Sequence, residues 1–166
     1  MQFETVHWDD PRAVALRAEM DSETGAMYAD RAAAMDADGQ AAVSAALAID
    51  PASIVHTVIV IDEGGTPVGH AALRPWQDEL EVKKVFIAAG ARGRGLSRAL
   101  MTELERAAAS RGIRSLVLQT GNLQFAAIAL YESMDYRAID VYGAYMAIPF
   151  ALCYRKSLDS VARPAA

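Results

Sequence analysis

The sequence predicts a single mixed α/β domain whose central sheet is mostly antiparallel, with one parallel pair of strands and helices on its flanks. Three observations predict this: alanine-rich helical segments early in the chain, β-branched runs joined by a hairpin turn, and a strand-helix-strand crossover after them. The 166 residues, 53% of them hydrophobic, suffice for one core and are too few for two ordinary domains. We therefore expect one domain over residues 1–160 and a flexible tail over 161–166.

The first third of the chain predicts a strand followed by helices. Residues 3–8 favour a short first strand, and Asp9 with the nearby proline is typical of a helix cap and first turn. Residues 21–49 are rich in alanine but are interrupted at Gly25 and again at 36–39. This stretch predicts two or three helical pieces, and the pattern does not fix where they break.

The middle of the chain predicts strands. Residues 54–61 are a continuous β-branched run, and the turn at 62–66 has hairpin chemistry, so a strand through Leu73 should return antiparallel. A strand, a helix and a strand follow as a crossover, which makes the two strands parallel: 79–87, 96–110 and 113–119. A second helix and two final strands complete the sheet: 123–134, 136–141 and 151–158.

The turn at residues 91–98 joins a strand to a helix and is basic and glycine-rich. Gly93 and Gly95 let the backbone approach an anion closely, so that unpaired amides of the first helical turn point at it. Three arginines add positive charge there: Arg92, Arg94 and Arg98. The turn lacks the third glycine of a dinucleotide loop and the Gly-Lys-Ser/Thr of a triphosphate loop. By itself it could also be an ordinary turn with solvated arginines.

A second segment, residues 119–136, favours the interpretation of the basic turn as an anion-binding site. With the basic turn it resembles the acetyl-CoA-binding core of the GNAT family of N-acetyltransferases, in which a Gln/Arg-x-x-Gly-x-Gly/Ala turn cradles the coenzyme A pyrophosphate. A later Ala-x-x-Leu-Tyr-x-x-x-Gly-Phe/Tyr helix of that family carries a tyrosine near the thioester. The matching positions are Arg92, Gly95, Ala127, Leu130, Tyr131 and Tyr136. The resemblance covers residues 54–158, and its Thr-Gly-x-x-Gln segment is similar to bacterial small-molecule acetyltransferases.

Two positions depart from the family pattern. Ser97 stands where the family usually has Gly or Ala, which narrows the room beside the pyrophosphate and adds a hydroxyl donor, so we expect binding to survive. Asp135 stands where a glycine normally ends the tyrosine helix in a left-handed conformation, which Asp adopts at modest cost. The expected penalty falls on stability, not on chemistry.

The resemblance implies that acetyl-CoA, used as a cosubstrate, lies between the strand ending at Ile87 and the strand ending near Gln119. Its pantetheine arm then pairs with the backbone of residues 85–87, and its pyrophosphate lies on the amides of 92–97. Gln124 would hydrogen-bond the arm or, alternatively, cap the helix that begins nearby. The implied contact residues are Val85, Phe86, Ile87, Arg92, Gly93, Arg94, Gly95, Leu96, Ser97 and Gln124.

Tyr131 and Glu81 are the implied catalytic residues. The resemblance places the Tyr131 hydroxyl near the departing thiolate, whereas an isolated helix with this face would favour a core tyrosine. Glu81 is the candidate general base, directly or through a water, because several family members carry a glutamate there. Strand alternation would also put four residues on one face: Glu81, Lys83, Val85 and Ile87. A solvated carboxylate beside the neighbouring lysines is the alternative for Glu81.

The acceptor site is implied to lie between the early helices and the connection of the last two strands. Aromatic side chains there would suit an amine with an apolar or amphipathic body: Tyr28, Tyr142 and Tyr145. The same residues could instead close the core or a homodimer interface.

These observations favour an N-acetyltransferase that moves an acetyl group from acetyl-CoA to a primary amine of a small molecule or amino acid. The transfer would be direct, within a ternary complex. Two alternatives stay open: an N-acetyltransferase that acts on proteins or peptides, and a non-catalytic sensor that binds acyl-CoA.

Composition argues against other classes. The net charge of −5 disfavours nucleic acid as the main partner, and no apolar run reaches the length of a membrane span. The three histidines lie on separate strands without ligand spacing, so we expect no metal: His7, His56 and His70. The single Cys153 excludes an intramolecular disulfide, and the sequence shows no secretory signal, so we expect a cytoplasmic protein.

Overall fold

A computed structural model describes residues 1–159 of the chain. The strands in this range are β1 (Gln2–Val6), β2 (His56–Ile61), β3 (Pro67–Trp76), β4 (Glu79–Ile87), β5 (Ser115–Gly121), β6 (Arg137–Ile139) and β7 (Ala151–Ser157). The α-helices are α1 (Pro11–Ala33), α2 (Ala37–Leu47), α3 (Leu96–Ala109) and α4 (Phe125–Ser133). Short 3-10 turns cover Pro51–Ser53, Ala89–Ala91 and Gly143–Ala147. The predicted tail, 161–166, lies outside the described residues.

The strands form one sheet in the order β1-β2-β3-β4-β5-β7-β6. β4 and β5 are parallel, and the other neighbouring pairs are antiparallel. α3 forms the crossover between the parallel strands, as its position in the sequence predicts. The mixed α/β fold class with one parallel pair is therefore confirmed. In the part of the chain that the structure describes, no helix has both the length and the apolar character to traverse a bilayer.

Different helices cover the two faces of the sheet. α3 covers one face through apolar residues at helical spacing: Leu96, Leu100, Leu104 and Ala108. α1 covers the opposite face, where Leu16 packs with Ile59 and Phe86 in a second core. α2 packs on the Gly143–Ala147 turn. The sheet thus separates an α3 side from an α1 side, and each side chain of β4 must face one or the other.

The early helices begin where capping chemistry allows. Asp10, and not Asp9, caps α1, because the Asp10 carboxylate accepts a hydrogen bond from a first-turn N–H at 2.9 Å. α1 continues through Gly25, so the expected interruption there is wrong. A side chain at this exposed position would meet no atom within 4 Å, and glycine costs the helix only about 1 kcal/mol relative to alanine. The break falls at residues 34–36 instead, and Asp36 caps α2.

The parallel pair is short and then opens. β4 and β5 stay in register over three residue pairs, the last of which joins Val82 to Leu118. Beyond that point β4 runs on to Ile87 and β5 to Gly121 without pairing with each other. The two strands therefore diverge, and the β4 edge that faces β5 has no strand partner along residues 85–87.

A β-bulge at Lys84 accompanies this divergence. Lys84 has a φ of 53°, and the register of β4 against β3 shifts at this point. Val82 before the bulge and Ile87 after it both belong to the core under α3, although an uninterrupted strand would place residues five apart on opposite faces. The prediction that Glu81 shares a face with Ile87 is therefore wrong, because the extra residue reverses the alternation.

Candidate active site

The glycine turn before α3 presents free backbone donors. Gly93 and Gly95 have φ values of 74° and 75°, in the left-handed region that glycine adopts without strain. Gly95 is the N-cap of α3 and supplies no side chain to cap it. Among the described residues, none accepts a hydrogen bond from the N–H groups of residues 93–98. Together with the positive end of the α3 dipole, this geometry fits an anion such as a diphosphate.

A cavity of about 460 Å³ opens over this turn, and we call it the loop cavity. It runs from the turn along the unpartnered edge of β4 and past the start of α4. Nine of the residues that sequence reasoning assigned to acetyl-CoA line it: Val85, Phe86, Ile87, Arg92, Gly93, Gly95, Leu96, Ser97 and Gln124. Arg94 is exposed and is not among its lining residues. A long, mostly apolar ligand with a charged diphosphate end fits this lining.

Arg92 joins the loop cavity to α1. Its Nε donates to the carbonyl of Ile87 at 2.9 Å, and its guanidinium binds Glu23 on α1 at 2.6 Å. Both partners of the ion pair are more than a third exposed, so the pair is weak and either group can be recruited by a ligand. The Arg92 guanidinium can therefore leave the Glu23 carboxylate and bind a phosphate.

A second cavity, of about 510 Å³, lies between α1, the end of α2 and the open ends of β4 and β5, and we call it the helix cavity. Its walls are mainly apolar: Met20, Leu47, Ile49, Ile148 and Phe150. Charged side chains also line it: Asp21, Lys83 and Lys84. Lys84 forms an ion pair with Asp21. The cavity is large enough for a small molecule.

Tyr28 closes one wall of the helix cavity. Its ring stacks on Phe150 with 4.8 Å between centroids, and its hydroxyl accepts a hydrogen bond from the N–H of Leu123 at 2.9 Å. Gly121 makes this contact possible, because a Cβ at that position would lie 2.0 Å from the Tyr28 hydroxyl oxygen. The predicted substrate-binding position of Tyr28 is thus on a cavity wall.

The two cavities share a set of lining residues and therefore meet: Met20, Thr24, Val85, Gln124 and Tyr131. Gln124 is the N-cap residue of α4, but its side chain makes no capping hydrogen bond to the helix. Asp135 ends the tyrosine helix with a φ of 65°, the left-handed conformation that the sequence predicts.

Tyr131 lies at the junction with its hydroxyl unengaged. Its side chain is 6% exposed, and no described residue forms a hydrogen bond with the hydroxyl. Burial raises the pKa of Tyr131 above its ordinary value near 10. The hydroxyl is consequently protonated at neutral pH, and it can donate to a group placed where the cavities meet.

Glu81 lies at the centre of a buried polar cluster, which we call the Glu81 cluster. Its side chain is fully buried, so the alternative of a solvated carboxylate is wrong. Oε2 accepts a hydrogen bond from Arg74 at 2.6 Å, and Oε1 accepts from the hydroxyls of Tyr142 at 2.9 Å and Tyr145 at 2.5 Å. Lys83 completes the cluster by donating to the Tyr145 hydroxyl at 2.6 Å.

The Glu81 cluster changes the expected placement of two tyrosines. Tyr142 and Tyr145 are not among the lining residues of either cavity, and their hydroxyls bind the Glu81 carboxylate instead. Tyr142 also packs on Trp76, with 4.8 Å between ring centroids. A carboxylate that is buried on the α1 side needs such donors, and the connection before β7 supplies them.

The sequence did not predict a chain of side-chain contacts that holds the bulge at Lys84. His70 on β3 is fully buried, and Arg17 of α1 lies 3.2 Å from its Nε2. Since a guanidinium can only donate, Nε2 accepts, and Nδ1 carries the hydrogen that it donates to the Lys84 carbonyl at 2.8 Å. Arg17 in turn stacks on Trp8 at 3.6 Å from the ring centroid. No local sequence signal marks this chain of contacts, because its members come from α1, β3, β4 and the segment before α1.

The buried His70 makes stability depend on pH. Burial lowers its pKa to about 4, whereas the unfolded chain titrates near ~6.5. As the pH falls from about 6.5 to about 4, only the unfolded state gains this proton, so the free energy of unfolding should decrease by about 3 kcal/mol. His70→Asn, whose amide keeps a donor for the Lys84 carbonyl, should reduce that loss in urea unfolding measured across this range.

A matched control for this experiment is His7→Asn, because the His7 side chain is 83% exposed. It should leave the pH dependence of unfolding as it is in the wild type. An unchanged pH dependence in His70→Asn would show that His70 does not titrate as its burial requires.

The chain belongs to the GNAT acetyltransferase family. The model of the acetyltransferase (GNAT) family matches residues 11–136, which is more than half of the chain and includes the glycine turn and Tyr131. Within residues 1–159, no group of three or more His, Cys, Asp or Glu side chains is placed to hold a metal ion.

Curated relatives match about half of this chain. It is 35% identical over 78 residues to the IAA acetyltransferase of Azospirillum brasilense, which covers 47% of this chain and 51% of that protein. It is 31% identical over 84 residues to N-acetyltransferase family 8 member 2 of Rattus norvegicus, which covers 47% of this chain and 37% of that protein. The match therefore spans about half or less of these relatives' own length.

Solved structures share the fold, in one case over nearly the whole chain. A crystal structure from Klebsiella pneumoniae, provisionally classed as an acyl-CoA N-acyltransferase, has a TM-score of 0.75 and 25% identity and covers 95% of this chain and 97% of its own. A GNAT family acetyltransferase from Elizabethkingia anophelis, solved with acetyl-CoA bound, has a TM-score of 0.56 and 18% identity over 64% of this chain and 77% of its own. The similarity to the Elizabethkingia anophelis structure shows a shared fold and nothing more specific.

Proposed function

We propose that this protein is an acetyl-CoA-dependent N-acetyltransferase of the bacterial type that acts in the cytoplasm. It transfers the acetyl group directly to a primary amine of a small molecule or amino acid within a ternary complex. The observation that carries the proposal is the junction of two cavities at the Tyr131 hydroxyl. One cavity has the lining for a diphosphate and its pantetheine arm, and the other has room for an amine.

The loop cavity holds acetyl-CoA in this proposal. The amides of residues 93–97 and the guanidinium of Arg92 bind the pyrophosphate, and the unpartnered edge of β4 along 85–87 pairs with the pantetheine amides. The helix-dipole contribution is about 0.3–1 kcal/mol, and up to ~2 kcal/mol when partly buried. Several amide contacts must therefore act together to hold the ligand in place.

The reacting groups meet at the junction. The amine nitrogen attacks the thioester carbon, a C–N bond forms, and the C–S bond breaks as the thiolate leaves. Backbone amides near Phe86 and Ile87 stabilise the oxyanion that forms between these events. A thiol titrates near ~8.5, and burial raises the pKa of Tyr131, so Tyr131 stabilises the thiolate chiefly by donating a hydrogen bond.

The attacking amine must lose a proton, because alkylamines are mostly protonated at neutral pH. In our proposal the negative charge of the Glu81 carboxylate favours this proton transfer. It does not line either cavity, so it acts on the acceptor through its hydrogen-bonded neighbours.

The helix cavity supports an acceptor with an apolar or amphipathic body. Its aromatic wall, Tyr28 and Phe150, and its aliphatic residues bind such a body, while Asp21 and the lysines provide polar contacts near β4. The cavity is bounded by α1 and α2, which favours a small molecule over an extended peptide.

A thiol-release screen tests the function. The protein is incubated with acetyl-CoA and panels of amines, amino acids, aminoglycosides and peptides, and free coenzyme A is measured. We expect release with small primary amines. Release with peptides alone would establish a protein acetyltransferase. Acetyl-CoA binding without release across all the panels, together with no effect of Tyr131→Phe, would establish a sensor.

A further inference from the structure

One member of the Glu81 cluster has access to the acceptor. Arg74, Glu81, Tyr142 and Tyr145 are absent from the lining of the helix cavity, whereas Lys83 is part of it. Lys83 is 8% exposed, and its Nζ lies 3.8 Å from Glu81 Oε1. Among the members of the cluster, Lys83 is therefore the one that connects the helix cavity with the buried carboxylate.

The charges of the cluster do not balance when Lys83 is protonated. Arg74 and Lys83 would then carry two positive charges against the one negative charge of Glu81. An excess charge in the interior is costly, so the neutral amine is favoured.

The groups that surround Lys83 come from several elements. On its own strand are Glu81 and Lys84, and on β3 is Arg74. The Gly143–Ala147 turn and the residue before it supply Tyr145 and Tyr142, β7 supplies Cys153, and α1 supplies Asp21, which is held by Lys84. Burial lowers the pKa of Lys83 to about 8, with Glu81 opposing the shift and Arg74 reinforcing it.

The direction of the hydrogen bonds leaves Lys83 able to accept a proton. The Tyr145 hydroxyl donates to Glu81 at 2.5 Å, so its oxygen can only accept from Lys83, at 2.6 Å. A neutral amine has two N–H groups and one lone pair. One N–H is used in this bond, and the lone pair stays free.

We propose that neutral Lys83 is the general base of the acetyl transfer, and that Glu81 stabilises the resulting ammonium through Tyr145. The acceptor's N–H bond breaks, an Nζ–H bond forms, and one positive charge moves from the acceptor to Lys83. The proton then leaves to water when the helix cavity empties. This assignment rests on the proposed function, and it explains how a sealed carboxylate can promote the reaction.

Heteronuclear NMR tests the titration of Lys83 without any substrate. The chain contains three lysines, Lys83, Lys84 and Lys156, so the side-chain signals of a lysine-labelled sample are assigned with single variants. We expect the Lys83 signals to titrate near pH 8. A midpoint near ~10, the ordinary value for lysine, would overturn the proposal even if no acceptor were found.

Kinetics tests the role itself. In the wild type, kcat/KM should fall on the acidic side of a pKa near 8. Lys83→Met should lower kcat by about 10²- to 10⁴-fold, the range for a lost general base, and should remove the limb with a pKa near 8. Only protonation of the acceptor amine itself, near ~10, should then limit kcat/KM. Lys83→Arg keeps the positive charge but cannot accept a proton, so it should be as slow as Lys83→Met.

Controls separate this role from a structural one. Lys84→Met, at the neighbouring lysine, removes a polar contact of the helix cavity and should raise the KM for the acceptor, whereas the pH profile of kcat should keep its acidic limb. Calorimetry of acetyl-CoA binding and thermal unfolding check that the Lys83 variants remain folded. If the wild type turns over and Lys83→Arg is fully active, the assignment of Lys83 as general base is wrong, although the protein is still an acetyltransferase. If the wild type does not turn over, the proposed function itself is wrong.

Discussion

Gly95→Val is expected to weaken coenzyme A binding by about 10- to 100-fold while the domain stays folded. Valine is strongly disfavoured at the φ of 75° that Gly95 adopts, and relieving a strain of about 1–3 kcal/mol would turn the first amides of α3 away from the diphosphate. About 1.4 kcal/mol of lost binding free energy corresponds to a tenfold change in affinity. Isothermal titration calorimetry with coenzyme A measures the effect directly.

Gly65→Val is the matched control. Gly65 lies in the β2-β3 hairpin with a φ of 82°, and a Cβ at either glycine would meet no atom within 4 Å. The two substitutions therefore impose similar backbone strain and differ in their distance from the proposed site. Equal losses of affinity in the two variants, or wild-type affinity in Gly95→Val, would contradict the phosphate assignment.

Tyr131→Phe is expected to lower kcat by about 10²-fold, the size of effect seen when one donor to a developing charge is removed. Acetyl-CoA affinity should change little, because the ring keeps its place in the core and only the unengaged hydroxyl is lost. Steady-state thiol release and calorimetry with acetyl-CoA together separate these two quantities.

Tyr136→Phe provides the comparison. Tyr136 is another buried tyrosine, its ring centroid lies 5.9 Å from that of Tyr131, and it lines neither cavity. We expect near wild-type kcat from it. If Tyr131→Phe and Tyr136→Phe turn over at the same rate, then Tyr131 is a core residue without a role at the sulfur.

The glycine turn could be predicted from the sequence because its chemistry is local. Its glycines, its arginines and the helix that follows are neighbours in the chain, and the required backbone angles are those that glycine favours. The helix α4 could be predicted equally well, since the spacing from Ala127 to Tyr131 fixes which side chains share its face.

The environment of Glu81 could not be predicted in the same way. Its donors Tyr142 and Tyr145 lie more than 60 residues further along the chain, and only the folded sheet brings them together. The bulge at Lys84 also breaks the alternation on which the face of Glu81 was inferred, and nothing in the local pattern marks an inserted residue. Long-range pairing and register therefore decided this part of the site.

The contact between Tyr28 and Gly121 couples two positions that are far apart in sequence. A methyl group at 121 would collide with the phenol oxygen, so any larger residue there requires a shorter side chain at 28. The two side chains together therefore determine the width of the helix cavity at this wall. Changing both members together offers a way to alter the shape of the proposed acceptor site without replacing Tyr131 or Lys83.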